Sequence, residues 1–213
     1  MTTMASAGPS GGGARAKERT VHELLRANVE KRVPVSKKEW ALWEKYFVPR
    51  KVRKRQFLLQ EGDVCRHLAF VTGGCLRSYT VDGRGEEHII QFAIRDWWIS
   101  DLASFLSGGR AVHAIDALED SEVLLLDRAS RDELLETAPS ADRFFRLLQE
   151  ASYIASNRRI DAHLKDSAEE RYLAFMKTYP ALVERIPLHH IASYLGITPQ
   201  SLSRIRKELS ARP

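Results

Sequence analysis

The sequence predicts an α+β chain in which a barrel of short strands is followed by one long helix and a small helical module. Three features predict this order. Residues 56–127 form short alternating apolar runs between glycine turns, residues 140–165 form the longest helical pattern, and residues 186–209 contain two short amphipathic helices around Gly196. We therefore expect a β-roll or jelly-roll domain over residues 20–137, a long helix over 138–165 and a winged helix-turn-helix domain over 166–213.

The composition is that of an ordinary globular protein, with 44% hydrophobic residues in 213. No run approaches the roughly 20 apolar residues that span a bilayer, and no apolar segment follows Met1 as it would in a signal peptide. The two cysteines, Cys65 and Cys75, stand alone, without the CxxC spacing of many metal sites. We expect a cytoplasmic protein with no membrane partner and no metal centre.

The net charge of +5 is distributed unevenly along the chain. Residues 15–55 carry 14 basic and 5 acidic side chains, residues 56–157 carry 9 and 17, and residues 158–213 carry 10 and 6. An acidic centre between basic ends indicates that the centre does something other than contact nucleic acid. The modest basic excess at the C-terminus is compatible with DNA binding there.

Residues 1–19 are rich in Gly, Ser and Ala, and we expect a disordered tail. Two short helices should follow, one from Val21 and one opened by a capping box between Ser36 and Glu39. The basic run over residues 50–55 has two interpretations. We prefer a solvated edge strand whose charges discourage edge-to-edge pairing; the alternative is contact with flanking DNA phosphates.

Residues typical of turns interrupt the strand region, residues 56–127, at Gly62, at Gly73-Gly74 and over residues 82–85. Within the strand at residues 75–81, the alternation places Cys75, Arg77 and Tyr79 on one face. A short helix is expected over residues 100–106. Many short strands at regular spacing favour a small barrel.

The helix over residues 139–165 should be about 39 Å long. An alanine-rich seam runs along it, formed by Phe144, Leu148, Ala151, Ala155 and Ala162, with Leu147 and Ile154 as a second apolar edge. A helix that reaches beyond its own barrel can pair with its copy across a two-fold axis, so the seam predicts a homodimer.

The stretch over residues 186–209 has the pattern of a helix-turn-helix. Gly196 can turn the chain, Thr198 is a good N-cap and Pro199 suits the first helical position. The outward face of the second helix carries amide, hydroxyl and cationic groups that suit base edges and phosphates. An ordinary helical hairpin with a solvated face is the alternative. The predicted DNA-binding residues are Thr198, Pro199, Gln200, Ser201, Ser203, Arg204 and Lys207.

From about residue 20 onwards the chain resembles the Crp/Fnr family of bacterial transcription regulators. The residues that carry the resemblance are Glu61-Gly-Asp63, Gly73-Gly74, the segments 100–105 and 117–123, and above all residues 191–206. The resemblance implies a homodimer with a cyclic-nucleotide-binding-type effector domain, a central dimerisation helix and a recognition helix in the major groove of a palindromic site. It also implies contact with RNA polymerase if the protein is an activator.

The resemblance places the base-reading residues at Pro199, Gln200 and Arg204, with Arg204 expected on a guanine. Pro199 and Gln200 depart from the arginine and glutamate of well-known members, so the operator should differ as well.

The effector site departs further from the pattern that the resemblance implies. Members that bind cyclic nucleotides carry Gly-Glu-Leu at the start of the short helix and Arg-Ser-Ala after it, and the arginine and backbone there hold the phosphate. Here the two triplets are Ser100-Asp-Leu and Arg110-Ala-Val. These departures argue against cyclic AMP and leave the effector open, with no cofactor predicted. The candidate effector-pocket residues are Arg77, Tyr79, Ser100, Asp101, Arg110 and His113.

The predicted function is that of a DNA-binding transcription regulator and not of an enzyme. One alternative is a metal-dependent enzyme of the cupin type, but His67, His88 and His113 lie on separate strands without a His-x-His pair. A second alternative is an architectural DNA-binding dimer that needs no ligand.

Overall fold

The computed structural model describes residues 12–211, with side chains described from Val21 onwards. Two helices, α1 (Gly12–Glu30) and α2 (Lys37–Tyr46), precede the strands. The disordered tail expected over residues 1–19 is wrong for residues 12–19, which begin α1 because they are rich in Ala, Arg and Lys, all strong helix formers. Residues 1–11 of that expected tail lie outside the described residues. The capping box between Ser36 and Glu39 opens α2 as predicted.

Within residues 12–211, eight short strands form two four-stranded antiparallel sheets, which confirms the predicted strand-rich domain. Their order is β1-β8-β3-β6 in one sheet and β2-β7-β4-β5 in the other. The strands are β1 (Val48–Val52), β2 (Phe57–Leu59), β3 (His67–Gly73), β4 (Cys75–Val81), β5 (Glu87–Ile94), β6 (Trp98–Ile99), β7 (Ala114–Ala117) and β8 (Ser121–Asp127). The basic run lies on β1 and the turn after it, at the edge of its sheet and exposed, as we expected of an edge strand.

The turn between β3 and β4 depends on Gly74. Its φ of 88° lies in the left-handed region, and a Cβ at this position would meet the Ser121 hydroxyl at 2.2 Å and the Ser121 Cα at 2.6 Å. Because both the backbone conformation and the close approach exclude a side chain, glycine is required here.

The larger of two buried clusters joins the strands to the helices. It includes Phe70, Leu76 and Leu124 from the strands and Trp43 and Phe144 from the helices. The Trp43 ring lies 5.5 Å from the Phe144 ring, so α2 and the start of the long helix cover the strands together.

The remaining helices follow from the strands in chain order. They are α3 (Leu102–Ser107), α4 (Arg128–Thr137), α5 (Pro139–Lys165), α6 (Ala168–Thr178), α7 (Leu188–Leu195) and α8 (Pro199–Ser210). Between residues 166 and 211 the structure contains helices and no strand, so the wing of the predicted winged module has no counterpart among these residues. No helix within residues 12–211 is long and apolar enough to cross a membrane.

Candidate nucleic-acid interface and effector site

The turn between α7 and α8 is built as the sequence predicts. Gly196 ends α7 with a φ of 66°, and its N–H bonds back to the carbonyls of α7. The Thr198 hydroxyl accepts a hydrogen bond from Ser201 N at 3.2 Å, and Pro199 occupies the first turn of α8. These three residues fix the direction in which α8 leaves the turn.

The outer face of α8 is polar and open to solvent. Gln200, Ser203, Arg204 and Lys207 are exposed, whereas Leu202 and Ile205 are buried on the opposite face. The Ser203 hydroxyl donates to the carbonyl of Pro199 within the helix. Arg204 Nε lies 4.0 Å from Glu208 Oε1, with about three quarters of the arginine side chain exposed.

The hydroxyls at the start of α8 are occupied by capping. Thr198 Oγ1 donates to Ser201 Oγ at 3.0 Å in addition to accepting from Ser201 N. Of the seven predicted DNA-binding residues, Gln200, Arg204 and Lys207 therefore have long side chains available to reach a groove, while Thr198 and Ser201 shape the helix start.

The module formed by α6, α7 and α8 packs against the outer face of β4 and β5. The Phe92 ring lies 5.5 Å from the ring of Tyr194 and 6.0 Å from those of Phe175 and Tyr179. The second buried cluster accordingly contains residues from both parts of the chain. Because this core is shared, the strands fix the position of the helical module.

A buried arginine lies at the centre of this contact. Arg77 donates to both carboxylate oxygens of Asp116, at 2.7 and 3.0 Å, and it also forms an ion pair with Glu87. Its guanidinium lies 4.1 Å from the Tyr79 ring and 3.1 Å from His190 Nδ1 on α7. A charge this deeply buried needs such partners.

His190 completes the network as a neutral ring. Burial, and then the neighbouring positive charge of Arg77, lower the pKa of His190 from 6.5 to about 4. At neutral pH its Nδ1 is therefore an acceptor for Arg77. Next to it, Ser193 accepts from Ile89 N at 3.0 Å and donates to Glu87 O at 2.6 Å, so that α7 is hydrogen-bonded to β5.

The six predicted effector-pocket residues do not lie together. Arg77 and Tyr79 face α7, because the alternation along β4 directs them to the outer face of the sheet. Ser100, Asp101 and His113 lie around α3, and Arg110 is exposed with Nη1 at 3.5 Å from Gly62 O. A single pocket formed by all six is therefore wrong.

A cavity of about 410 Å³ opens beside β2 and β3. Among the predicted residues Ser100 lines it, together with Gln60, Cys65, His67 and Ile115. No local pattern in the sequence predicts these additional residues, since the cavity arises from the arrangement of two sheets and a loop.

Asp101 has the most constrained side chain near α3. Its carboxylate caps the helix by accepting from Ser104 N at 3.0 Å. The same group accepts from Val112 N at 3.0 Å and His113 N at 3.3 Å, and lies 3.3 Å from His113 Nδ1. Arg110, the nearest equivalent of the predicted phosphate-binding arginine, takes no part in these contacts.

The histidines of the cupin alternative do not converge. Among the described residues, the group that could hold a metal is Asp82, Glu86 and His88 on the hairpin between β4 and β5, without His67 or His113. Asp82 there accepts from the backbone N–H of Arg84 and Glu86, as expected for a tight turn. The cysteines are buried, and burial raises the pKa of Cys75 to about 12, which keeps it a neutral thiol.

The C-terminal half of α5 exposes large apolar side chains. Tyr153, Ile160 and Leu164 are 69%, 59% and 77% exposed, and Ile154 is about half exposed. At 100° per residue, Tyr153, Ile160 and Leu164 lie on the opposite side of α5 from Ala151, Ala155 and Ala162, and Ile154 lies between the two sides. The predicted seam is thus only partly available, since Phe144 is buried in its own domain and Leu148 packs against that core.

Comparison with known proteins agrees with this architecture. Residues 49–138 match the family model described as a cyclic nucleotide-binding domain. The regulatory protein HlyX of Actinobacillus pleuropneumoniae is 27% identical over 167 residues, spanning 72% of this chain and 68% of its own length. The fumarate and nitrate reduction regulatory protein of Escherichia coli is 26% identical over 167 residues, spanning 72% of this chain and 65% of its own length. The matched region thus covers about two thirds of each relative.

The fold itself is shared with a solved structure, FixK2 from Bradyrhizobium japonicum. The two chains superpose with a TM-score of 0.68 at 19% identity, over 77% of this chain and 84% of the other.

Proposed function

We propose that this chain, a Crp/Fnr-type regulator by sequence and by fold, binds specific double-stranded DNA as a homodimer and regulates transcription without catalysing a reaction. The single observation that carries the proposal is the exposed polar face of α8, held by the Gly196 turn and the Thr198 cap. In this proposal the chain is divided into an effector domain over residues 20–137, a dimerisation helix over 138–165 and a DNA-binding domain over 166–213. Such a protein works in the bacterial cytoplasm, where its DNA lies.

In this proposal α8 enters the major groove and Arg204 contacts a guanine. An arginine can donate to guanine O6 and N7 together, which discriminates against the wrong base by about 1–3 kcal/mol. The ion pair with Glu208 is solvent-exposed and costs under about 1 kcal/mol to break. Gln200 can address adenine in the same geometry, and Lys207 lies where a phosphate contact is expected.

The homodimer would form through the exposed apolar face of α5. Burying side chains as large as Tyr153, Ile160 and Leu164 contributes about 25 cal/mol per Å² of apolar surface. The helix has 27 residues, or about 40 Å, enough for several turns of contact with its copy. Two-fold pairing would place the recognition helices about 34 Å apart, one turn of B-DNA.

Selection of bound sites from random double-stranded DNA tests the proposal directly. We expect an enriched palindrome whose half-sites are centred about one helical turn apart. Contact with RNA polymerase is then expected only if the selected site acts as an activator site. Enrichment of no sequence above the starting pool, with folded dimeric protein, would contradict sequence-specific binding.

A further inference from the structure

The cavity of about 410 Å³ beside β2 and β3 has no part in the proposed DNA binding. It is also distinct from the phosphate site that the family resemblance implies at the triplets 100–102 and 110–112, because Ser100 alone of those six residues lines it. A cavity of this size can enclose a small organic molecule. The side chains that line it indicate which kind of molecule fits.

Much of the lining is apolar. Leu59, Ile99 and Ile115 line the cavity and are buried, and we call these three residues the apolar floor. Phe57 and Val64 line it as well, but their side chains remain 40% and 41% exposed. Because large apolar side chains that stay open to water are stabilised when an apolar group covers them, this lining suits the hydrocarbon part of a ligand.

Two arginines line the same cavity. Arg50 lies on β1 and Arg66 precedes β3, and both side chains are exposed. Within residues 21–211 the arginines that form ion pairs lie at other positions. Neither guanidinium group therefore has a carboxylate partner among these residues. A guanidinium presents a planar fork of N–H donors that matches a carboxylate.

A carboxylate and an imidazole also line the cavity, from Asp63 and His67. Burial lowers the pKa of His67; the charge of Asp127 opposes this shift, and the charges of Arg50 and Arg66 add to it. His67 is therefore neutral at pH 7, and both arginines lie close enough to affect it. With two arginines and one aspartate the lining has a net charge of +1, which matches a monoanion better than a dianion.

We propose that this cavity binds a small amphipathic carboxylate, whose charged group pairs with Arg50 and Arg66 while its hydrocarbon part lies on the apolar floor. A cationic ligand would be repelled by the two arginines, and a neutral one would leave their charges without a partner. The proposal does not rest on DNA binding, because ligand binding is measured in the absence of DNA.

An NMR titration of the full-length, 15N-labelled protein with octanoate tests the proposal. We expect the amide resonances of residues 57–67 and 99–100 to shift, with a Kd of about 1 mM or tighter for a ligand of this size. Octylammonium is the matched probe, because it has the same hydrocarbon chain with the opposite charge, and it should leave these resonances in place. Equal shifts with both probes overturn the proposal, as does the absence of shifts at about ten times the expected Kd.

Arginine variants test the charged part of the site. Arg50→Gln and Arg66→Gln should each weaken octanoate binding by about tenfold, because each removes a charge-assisted contact. Arg53→Gln is the matched control: Arg53 is an exposed arginine of the same basic run but does not line the cavity. Equal weakening in all three variants would show attraction to a basic surface in general and overturn the site, as would wild-type affinity in both Arg50→Gln and Arg66→Gln.

Filling the cavity tests its apolar part. Val64→Trp places a larger side chain at the wall and should abolish the octanoate shifts. Val81→Trp is the control, because Val81 is similarly exposed, at 43%, but lies at the end of β4 and does not line the cavity. Octanoate binding that survives in Val64→Trp as in Val81→Trp would place the ligand elsewhere and contradict the proposal.

Discussion

At the residue scale, single side chains have separate tasks that their surroundings define. Arg204 is about three quarters exposed and has only a 4.0 Å ion pair with Glu208, as our proposal that it contacts DNA requires. Arg77 has the same chemistry but is buried among Asp116, Glu87 and His190, where it holds two parts of the chain together. The sequence distinguishes the two arginines only through their elements: Arg204 lies on a helix face, whereas Arg77 lies on a strand whose outer face is covered by α7.

Arg204→Ala should weaken binding to the selected site by about 1–3 kcal/mol and relax the preference at one base pair of each half-site. Lys207→Ala is the matched comparison, because a phosphate contact should weaken binding to all sequences alike and reduce the salt dependence. Fluorescence anisotropy on single-base variants of the site at several salt concentrations measures both. Equal loss on every sequence for Arg204→Ala would show that it reads no base.

Gly74→Ala should reduce the free energy of unfolding by about 2–4 kcal/mol. The strain of positive φ accounts for about 1 kcal/mol, and the clash with Ser121 adds to it. Gly85→Ala is the control, because Gly85 has a similar φ of 82° but nothing within 4 Å of an added Cβ, so only the first cost applies. Urea unfolding of the two variants measures the difference, and equal costs would remove the close approach as the reason for glycine.

His190 should make the protein less stable as pH falls. Its folded pKa, about 4, lies below the ordinary value of 6.5, so the unfolded chain takes up a proton first and stability is lost between pH 6.5 and 4. The charged groups facing it are Arg77, His189, Glu87 and Asp116. Since the ring is only about half buried, we expect a loss of about 1 kcal/mol between pH 7 and pH 5.

Urea unfolding at pH 7, 6 and 5 measures this loss. His190→Gln should lose less between pH 7 and pH 5 than the wild type, whereas His189→Gln, at the exposed neighbouring position, should follow the wild type. Parallel curves for the wild type and His190→Gln would assign the pH dependence to other groups.

At the element scale, the first and the later turns of α5 have different surroundings. Its first turns are buried in the domain through Phe144 and Phe145, and its later turns expose Tyr153, Ile160 and Leu164. The pattern of residues 139–165 predicted a long helix correctly. It did not predict that both the alanine side and the large apolar side stay exposed over the later turns, because only the fold shows where the domain covers the helix.

Ile160→Glu should convert the proposed dimer to monomer, because a charge buried against an apolar partner face costs several kcal/mol. Ala155→Glu is the comparison: it lies on the alanine-rich side and should leave the dimer intact. Light scattering coupled to size exclusion at micromolar concentration measures the mass of each. Dissociation by Ala155→Glu alone would restore the alanine seam as the interface.

At the scale of the whole molecule, the strands and the helical module share one buried cluster. Phe92 on β5 contacts rings from α6 and α7, and Ser193 joins α7 to the backbone of β5. The orientation of α8 is therefore coupled to the strands, so that a structural change in the strand domain has a physical route to α8.

This shared core predicts cooperative unfolding. The full chain should unfold in one transition, with near-ultraviolet and far-ultraviolet circular dichroism giving the same urea midpoint. A fragment of residues 166–213 should be largely unfolded, since Phe175, Tyr179 and Tyr194 lose the cover of Phe92. Two separated transitions, or a folded fragment, would show that the module is independent of the strands.

The sequence by itself determined the order of elements and the chemistry of the exposed face of α8. Periodicity, the cap at Thr198 and the turn at Gly196 are local features, and local features can be recognised from neighbouring residues. Only the tertiary structure decided where Arg77 and Tyr79 face, which turns of α5 stay exposed, and that Asp101 accepts from the N–H groups of Val112 and His113. Those contacts join residues that are far apart in the chain or depend on how segments pack against one another. No local pattern in the sequence predicts them.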